Sequence, residues 1–226
     1  MCGRFTLNAT PDMVQEAFHL TSVPDFSPRF NIAPTQPVGI ISNHVPDALT
    51  FVRWGLIPPW AKDPAIGSQM INARTETVAE KASFKHALRR RRCLVPATGF
   101  YEWPKKGEPP IYVHLTGHRL FAFAGLWETW NSPDGSSVQS CTILTTEPND
   151  FIKQFHSRMA VILAPERYAD WLTPDELSAP EALDLLQPVD AREMDAYEVS
   201  KAVNRAGTES PDFIVPLRPP SQPGLL

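Results

Sequence analysis

Between Thr10 and Phe18 the apolar residues Met13, Val14, Ala17 and Phe18 recur at helical spacing behind Thr10-Pro11, a pair suited to an N-cap and a first helical position. The pattern predicts a short amphipathic helix. Residues 25–37 show no such period and are punctuated by proline, so an irregular segment is expected there. Residues 38–42 and 49–54 are strand-length runs around the turn-forming stretch 43–46, which predicts a hairpin. Residues 77–90, with Val78, Ala82, Phe84, Ala87 and Leu88 apolar, have the composition of one helix. From Cys93 the period shortens: residues 93–95, 100–103, 111–115, 120–127 and 138–145 are strand-length stretches broken by Pro, Gly, Asn and Asp. A short helix at 149–155, a strand at 161–163 and helices at 165–172 and 180–186, each with Pro in its first turn, complete the pattern. The expectation is an α+β fold, one domain over residues 1–215 around a mainly antiparallel, barrel-like sheet with flanking helices. A Pro-rich tail, 216–226, begins as an ordered edge and continues as a flexible end.

Composition narrows the class. The chain has 226 residues, 42% hydrophobic and 20% charged, and no apolar run approaches the roughly 18 residues of a membrane span. The start lacks the basic and apolar regions of an export signal, and three cysteines without a C-x-x-C pair suit a reducing compartment, so a cytoplasmic location is expected. A formal charge of -4 argues against coating nucleic acid by bulk electrostatics. Local charge is different: Lys85-His86 and Arg89 to Arg92 form a basic run, and acids gather between residues 166 and 198. The arginine run taken by itself reads as a solvated helix end. The five histidines other than His156 have no companion ligands, so neither a metal site nor a cofactor is expected.

Cys2 carries the sharpest chemistry. Removal of Met1, expected because the next side chain is small, would leave an α-amine and a thiol on adjacent carbons. The amine can form a Schiff base with an aldehyde, and the thiol can then close a five-membered thiazolidine at high effective molarity. Reference values of about 7.8 for the amine and about 8.5 for the thiol leave both reactive near neutrality, and Arg4 is expected to raise the thiolate share. A small residue at position 2 also occurs without catalytic purpose. Asn72, Arg74 and Glu76 alternate, so an extended backbone would face all three one way, as a phosphate-holding floor or as a surface ladder. Glu102, set among Phe100, Tyr101 and Trp103, is either a desolvated carboxyl with a raised pKa or an edge-strand acid pointing to water. His156 follows a predicted helix and precedes an apolar strand, at a loop position that can reach a cleft or be structural. Trp54, Trp60 and Trp103 are candidates either for the core or for stacking on bases.

Taken together the segments resemble the SRAP (SOS response-associated peptidase) family. The motifs are MCGRF at 1–5, RFNIAPTQ at 29–36, RWGLIPPW at 53–60, INARTET at 71–77, RRCLVPATGFYEW at 91–103, FAGLWE at 123–128, FHSRMAVIL at 155–163 and VSKAVN at 199–204. The resemblance implies a protein that senses abasic sites in single-stranded DNA and crosslinks to them through a thiazolidine on Cys2, with a Schiff-base intermediate and weak lyase activity. It further implies that Glu102 shuttles protons, that His156 assists Schiff-base chemistry and reversal, and that Asn72 positions the sugar or the amine. Arg4 and Arg74 would hold flanking phosphates; the residue reading adds Trp54, Trp60 and Trp103 as candidate DNA contacts. A monomer acting at damaged DNA in the nucleoid is expected. The family commonly reads H-D-R-M-P where this chain has Ser157 and Ala160, which leaves the contribution of His156 less secure than that of Glu102. Two other readings remain: a thiol peptidase or autopeptidase pairing Cys2 with His156, and a non-catalytic single-strand binding module.

Overall fold

A computed structural model describes residues 2–117 and 119–217. Met1 and all but the first two residues of the expected tail lie outside the described residues. Pro216 bridges Val199, and the Leu217 amide donates to the Glu198 carbonyl, 2.9 Å.

The first sheet is entirely antiparallel. Its strands run β1 (Phe5–Leu7), β2 (Arg29–Ile32), β7 (Gly99–Glu102), β8 (Ile111–Leu115) and β13 (Met194–Glu198), in the spatial order β13-β8-β7-β1-β2. The second sheet contains β3 (Pro37–Ser42), β4 (Val45–Trp54), β6 (Arg92–Ala97), β9 (Phe121–Asn131) and β10 (Ser137–Thr146). These five close into a ring, because β3 pairs β4 and β6, β9 pairs β6 and β10, and β10 returns to β4. The return is the one parallel step of the ring, Ser140 opposite Arg53 and Cys141 opposite Trp54. Short strands β5 (Asn72–Arg74), β11 (Met159–Ala160) and β12 (Ile162–Leu163) attach to β10 and β9. The expected barrel-like α+β fold is therefore present, its interior filled by alternate strand residues as in any small barrel.

The two sheets share one core. Phe5 of β1 meets Trp54 and Phe123 edge-on at 5.1 and 5.8 Å, and Phe123 in turn meets Phe100. Gly99 is required by a close approach: a Cβ there would lie 2.3 Å from the Tyr112 ring, whose hydroxyl is 2.9 Å from the Thr6 hydroxyl. That contact lets β1 lie flat against β7 and delivers the chain start to the end of β7 that carries Glu102.

Helix α1 (Pro11–Phe18) forms as its pattern predicts, with the Thr10 hydroxyl accepting from the Met13 amide. Other expectations are corrected. Residues 25–37 are not irregular throughout, since β2 forms by pairing with β1. The single helix over 77–90 is two, α2 (Thr75–Val78) and α3 (Lys85–Arg90), because the Thr77 carbonyl takes the Glu80 and Lys81 amides in a turn and buries Phe84 ahead of the second helix. The helix over 149–155 contracts to a single 3-10 turn, Ile152–Gln154, seeded by the Asn149 side chain. That over 165–172 is a 3-10 turn, Pro165–Arg167, leading into α4 (Tyr168–Trp171). The last helix, α5 (Ala179–Asp184), is closed by a capping box between Ser178 and Glu181.

The basic run is largely neutralised. Arg89 and Arg90 both pair with Glu176, and Arg91 pairs with the buried Glu128. Arg92 is fully buried, donating to the carbonyls of Trp171, Thr173 and Asp175 at 2.6 to 2.9 Å and to those of Leu88 and Arg89. Among the described residues no helix is long and apolar enough to cross a membrane.

Candidate active site

Because β1 lies between β2 and β7, the residues just ahead of it run alongside the end of β7. The Tyr101 amide donates to the Arg4 carbonyl at 3.0 Å, continuing the ladder toward Cys2 and Glu102. Cys2 is fully buried and Glu102 only 2% exposed. Burial, reinforced by the neighbouring Glu102 carboxylate, pushes the Cys2 thiol far above its ordinary value. Burial likewise raises Glu102 to about 7, so near neutrality the site holds a carboxyl able both to give and to take a proton.

Asn72 reaches Cys2 from the other sheet. Its Nδ2 donates to the Cys2 carbonyl at 2.9 Å, and its own strand is held in parallel register on β10, with Asn72 opposite Ile143 and Arg74 opposite Thr145. Asn72 is half-buried and Arg74 exposed. Glu76 does not share their face, because the strand ends at Arg74 and Glu76 sits in α2. It instead receives a two-pronged ion pair from Arg158, at 2.6 and 2.9 Å, which holds its carboxyl below the usual range. Arg158 Nη2 also donates to the Thr145 carbonyl at 2.8 Å, tying the loop after residue 155 to β10. Sequence reasoning missed Arg158; its place two residues after His156 was the available signal.

His156 lies in that loop. Its backbone amide donates to the Ile152 carbonyl, and its Nδ1 accepts the Arg158 amide at 2.9 Å. Burial, and the charge of Arg158, hold the imidazole below the ordinary histidine value. His156 borders an open cleft of about 570 Å³ that Glu147, Lys153 and Ser157 also line.

Arg4 does not raise the thiolate share of Cys2 as expected. It meets the Cys2 thiol only through its backbone carbonyl, at 4.0 Å. Its guanidinium is turned toward Asn31 Oδ1, 2.6 Å, and the Val203 carbonyl, 2.9 Å, and stands 5.9 Å from the centre of the Trp103 ring. Asn31 is completely buried and also donates to the carbonyls of Arg205 and Thr208. Trp103 Nε1 donates to Asn204 Oδ1 at 2.7 Å. The segment 200–210 is thus a strap stitched over Arg4 and Trp103, a relation invisible in the sequence because the partners lie far apart along the chain.

The tryptophans separate. Trp54 is fully buried, its Nε1 donating to the Ile71 carbonyl, so it packs the core and presents no ring at the surface, against its reading as a stacking platform. Trp60 is 55% exposed and Trp103 half-buried. Among the described residues there is no group of three or more His, Cys, Asp or Glu that could hold a metal ion.

Residues 1–206 match the sequence profile of a family described as SOS response associated peptidase, SRAP. The chain is 45% identical over 221 residues to the abasic site processing protein YoqW of Bacillus subtilis, covering 95% of this chain and 99% of that one. To the abasic site processing protein HMCES of Xenopus tropicalis it is 28% identical over 260 residues, 94% of this chain and 77% of that one. A crystal structure of a protein from Bacteroides thetaiotaomicron superposes with a TM-score of 0.87 at 27% identity, covering 95% and 99% of the two chains.

Proposed function

Because this chain belongs to the SRAP family, whose similar members include proteins named for abasic site processing, we propose that it captures abasic sites in single-stranded DNA by a covalent bond to Cys2. With Met1 removed, the Cys2 amine attacks the aldehyde carbon of the ring-opened sugar, and the carbinolamine loses one water to give a Schiff base. The Cys2 sulfur then adds to the imine carbon while the thiol proton passes to nitrogen, closing a thiazolidine with a net loss of one water. Weak lyase activity follows from the Schiff base, when removal of a proton from the adjacent sugar carbon expels the 3′ phosphate before the sulfur closes.

The observation that carries this reading is the buried Glu102 carboxyl, raised to about 7 beside a buried Cys2 whose carbonyl Asn72 holds. Dehydration of the carbinolamine needs an acid and delivery of the thiol proton needs a base, and a carboxyl half-ionised near neutrality serves both. Burial of the thiol also supports amine-first chemistry, because a neutral thiol is a poor initial nucleophile. Arg74, exposed next to Asn72, and Arg4 would hold flanking phosphates, with Trp60 and Trp103 against the bases.

The test is an intact mass of untagged protein incubated with an abasic single-stranded oligonucleotide, without reductant, beside an undamaged control. The expected adduct is des-Met protein plus oligonucleotide less one water. Cys2→Ser should keep borohydride trapping of the imine and lose the reductant-independent adduct; a serine variant that crosslinks as stably as the native protein would refute the thiazolidine.

A further inference from the structure

Resting on the reading just proposed, in which Arg74 holds a phosphate of the strand, we infer that Glu76 limits the grip on undamaged DNA, its carboxylate competing with a backbone phosphate for the Arg158 guanidinium. The pair has the geometry of a phosphate contact. Arg158 Nη1 and Nη2 meet the two Glu76 oxygens at 2.6 and 2.9 Å, and a guanidinium offers that same edge to two oxygens of a phosphate. The rest of the group is spoken for: Nη2 also donates to the Thr145 carbonyl at 2.8 Å, and Nε is buried, with no acceptor among the described residues.

The fold brings acid and cation together at one end of β10. Thr145 lies opposite Arg74 of β5 on one side and opposite Ala160 of β11 on the other. Arg158 comes from the loop that leads into β11, and Glu76 from the first turn of α2, directly after β5. The ion pair therefore spans the strand end that carries Arg74, whose charge also acts on Glu76. Arg158 lines the open cleft together with Lys153, which gives an anion a path to it from solvent. The Glu76 side chain is 42% exposed, so its carboxylate can leave the fork without opening a void in the core.

Non-covalent affinity for a strand grows with the number of phosphates that cations neutralise. Arg74 and Arg158 stand at one site with two positive charges, and Glu76 cancels one of them. An acid among such cations weakens binding to every strand, damaged or not. Lasting retention then falls to the covalent bond, which only an aldehyde can form, and the weakening becomes selectivity for the lesion.

Fluorescence anisotropy with an undamaged single-stranded oligonucleotide over a range of salt tests this. Glu76→Gln should bind about three- to tenfold more tightly than the native protein at about 50 mM salt, with a salt slope steeper by up to about 0.7, the value for one phosphate on a single strand. Glu76→Ala, which leaves the fork empty, should gain at least as much. In the double variant Glu76→Gln/Arg158→Gln the gain should vanish, leaving affinity within about twofold of Arg158→Gln alone. Unchanged or weaker binding in both Glu76 variants would overturn the inference and make the ion pair a structural brace. A gain that survives in the double variant would overturn it as well, because net charge alone would then be responsible. No covalent step enters these measurements, so tighter binding by the variants in a protein that forms no adduct would sink the capture reading and leave this one standing. Absence of binding by native protein and variants alike would overturn both.

Discussion

Replacing Glu102 by Gln should make the protein more stable at alkaline pH while slowing its chemistry. Burial lifts this carboxyl from 4.5 to about 7, so between those values the folded protein keeps a proton that the unfolded chain has released. Native stability therefore falls as pH rises through that window, by about 3 kcal/mol in total, and the loss is complete above pH 7. Glutamine has nearly the same shape and never ionises, so the variant escapes the penalty. Urea or thermal unfolding of both proteins at pH 4.5, 6 and 8 is the assay. The variant should match the native protein at the lowest pH and exceed it by about 3 kcal/mol at pH 8, roughly 10 °C in Tm for a chain of this size. The other titrating groups are common to both proteins and cancel in the difference. Crosslinking should show the reverse order, with a titration near pH 7 present in the native rate profile and absent from the variant. If the stability difference stays flat between pH 4.5 and 8, Glu102 does not titrate near neutrality and its assignment as proton shuttle loses its physical basis.

Two further contrasts follow from burial and hydrogen bonding. Trp54→Ala should cost about 3–5 kcal/mol in denaturant unfolding, as for any large core residue. Trp60→Ala should change stability by no more than about 0.5 kcal/mol yet weaken single-strand binding by about 1–3 kcal/mol in fluorescence anisotropy; unchanged affinity would remove Trp60 from the DNA surface. Asn31→Ala should destabilise by about 3 kcal/mol through loss of the Arg4 contact and both strap carbonyls, and should lower the salt dependence of DNA binding by about one counterion. Asn31→Asp, which keeps the acceptor for Arg4, should preserve the salt dependence, and an identical loss in both variants would mean that Arg4 does not depend on Asn31 to meet a phosphate.

Much of the architecture was legible because its signals are local. Thr10-Pro11 and the helical spacing behind it define α1, Asn43 and His44 within the turn expected at 43–46 separate β3 from β4, and the run at 111–115 coincides with β8. Cys2, Asn72 and Glu102 each stood out by residue type and neighbours, since a nucleophile, an amide on a short extended segment and an acid among aromatics are visible within a few positions. What escaped was set by partners far along the chain. Strands β1 and β2 are too short to show a period of their own, and they and β13 exist through the strands they pair with. The arginine run read as a solvated helix end because Glu176, Glu128 and the carbonyls after Trp171 meet it only in the fold. Trp54 stayed open between core and base stacking, and Arg4 looked like a thiolate partner, for the same reason.

An alternating pattern distinguishes the two faces of a strand, and residue chemistry marks which side chains can react; both are properties of a few neighbouring residues, and the sequence determined them. Which face lies inside was decided when β10 closed onto β4 and enclosed Trp54. Pairing of β1 with β7 carries the residues ahead of β1 toward the end that holds Glu102, where Cys2 is buried. Desolvation, which shifts protonation, depends on surroundings in three dimensions and so belongs to the tertiary structure alone.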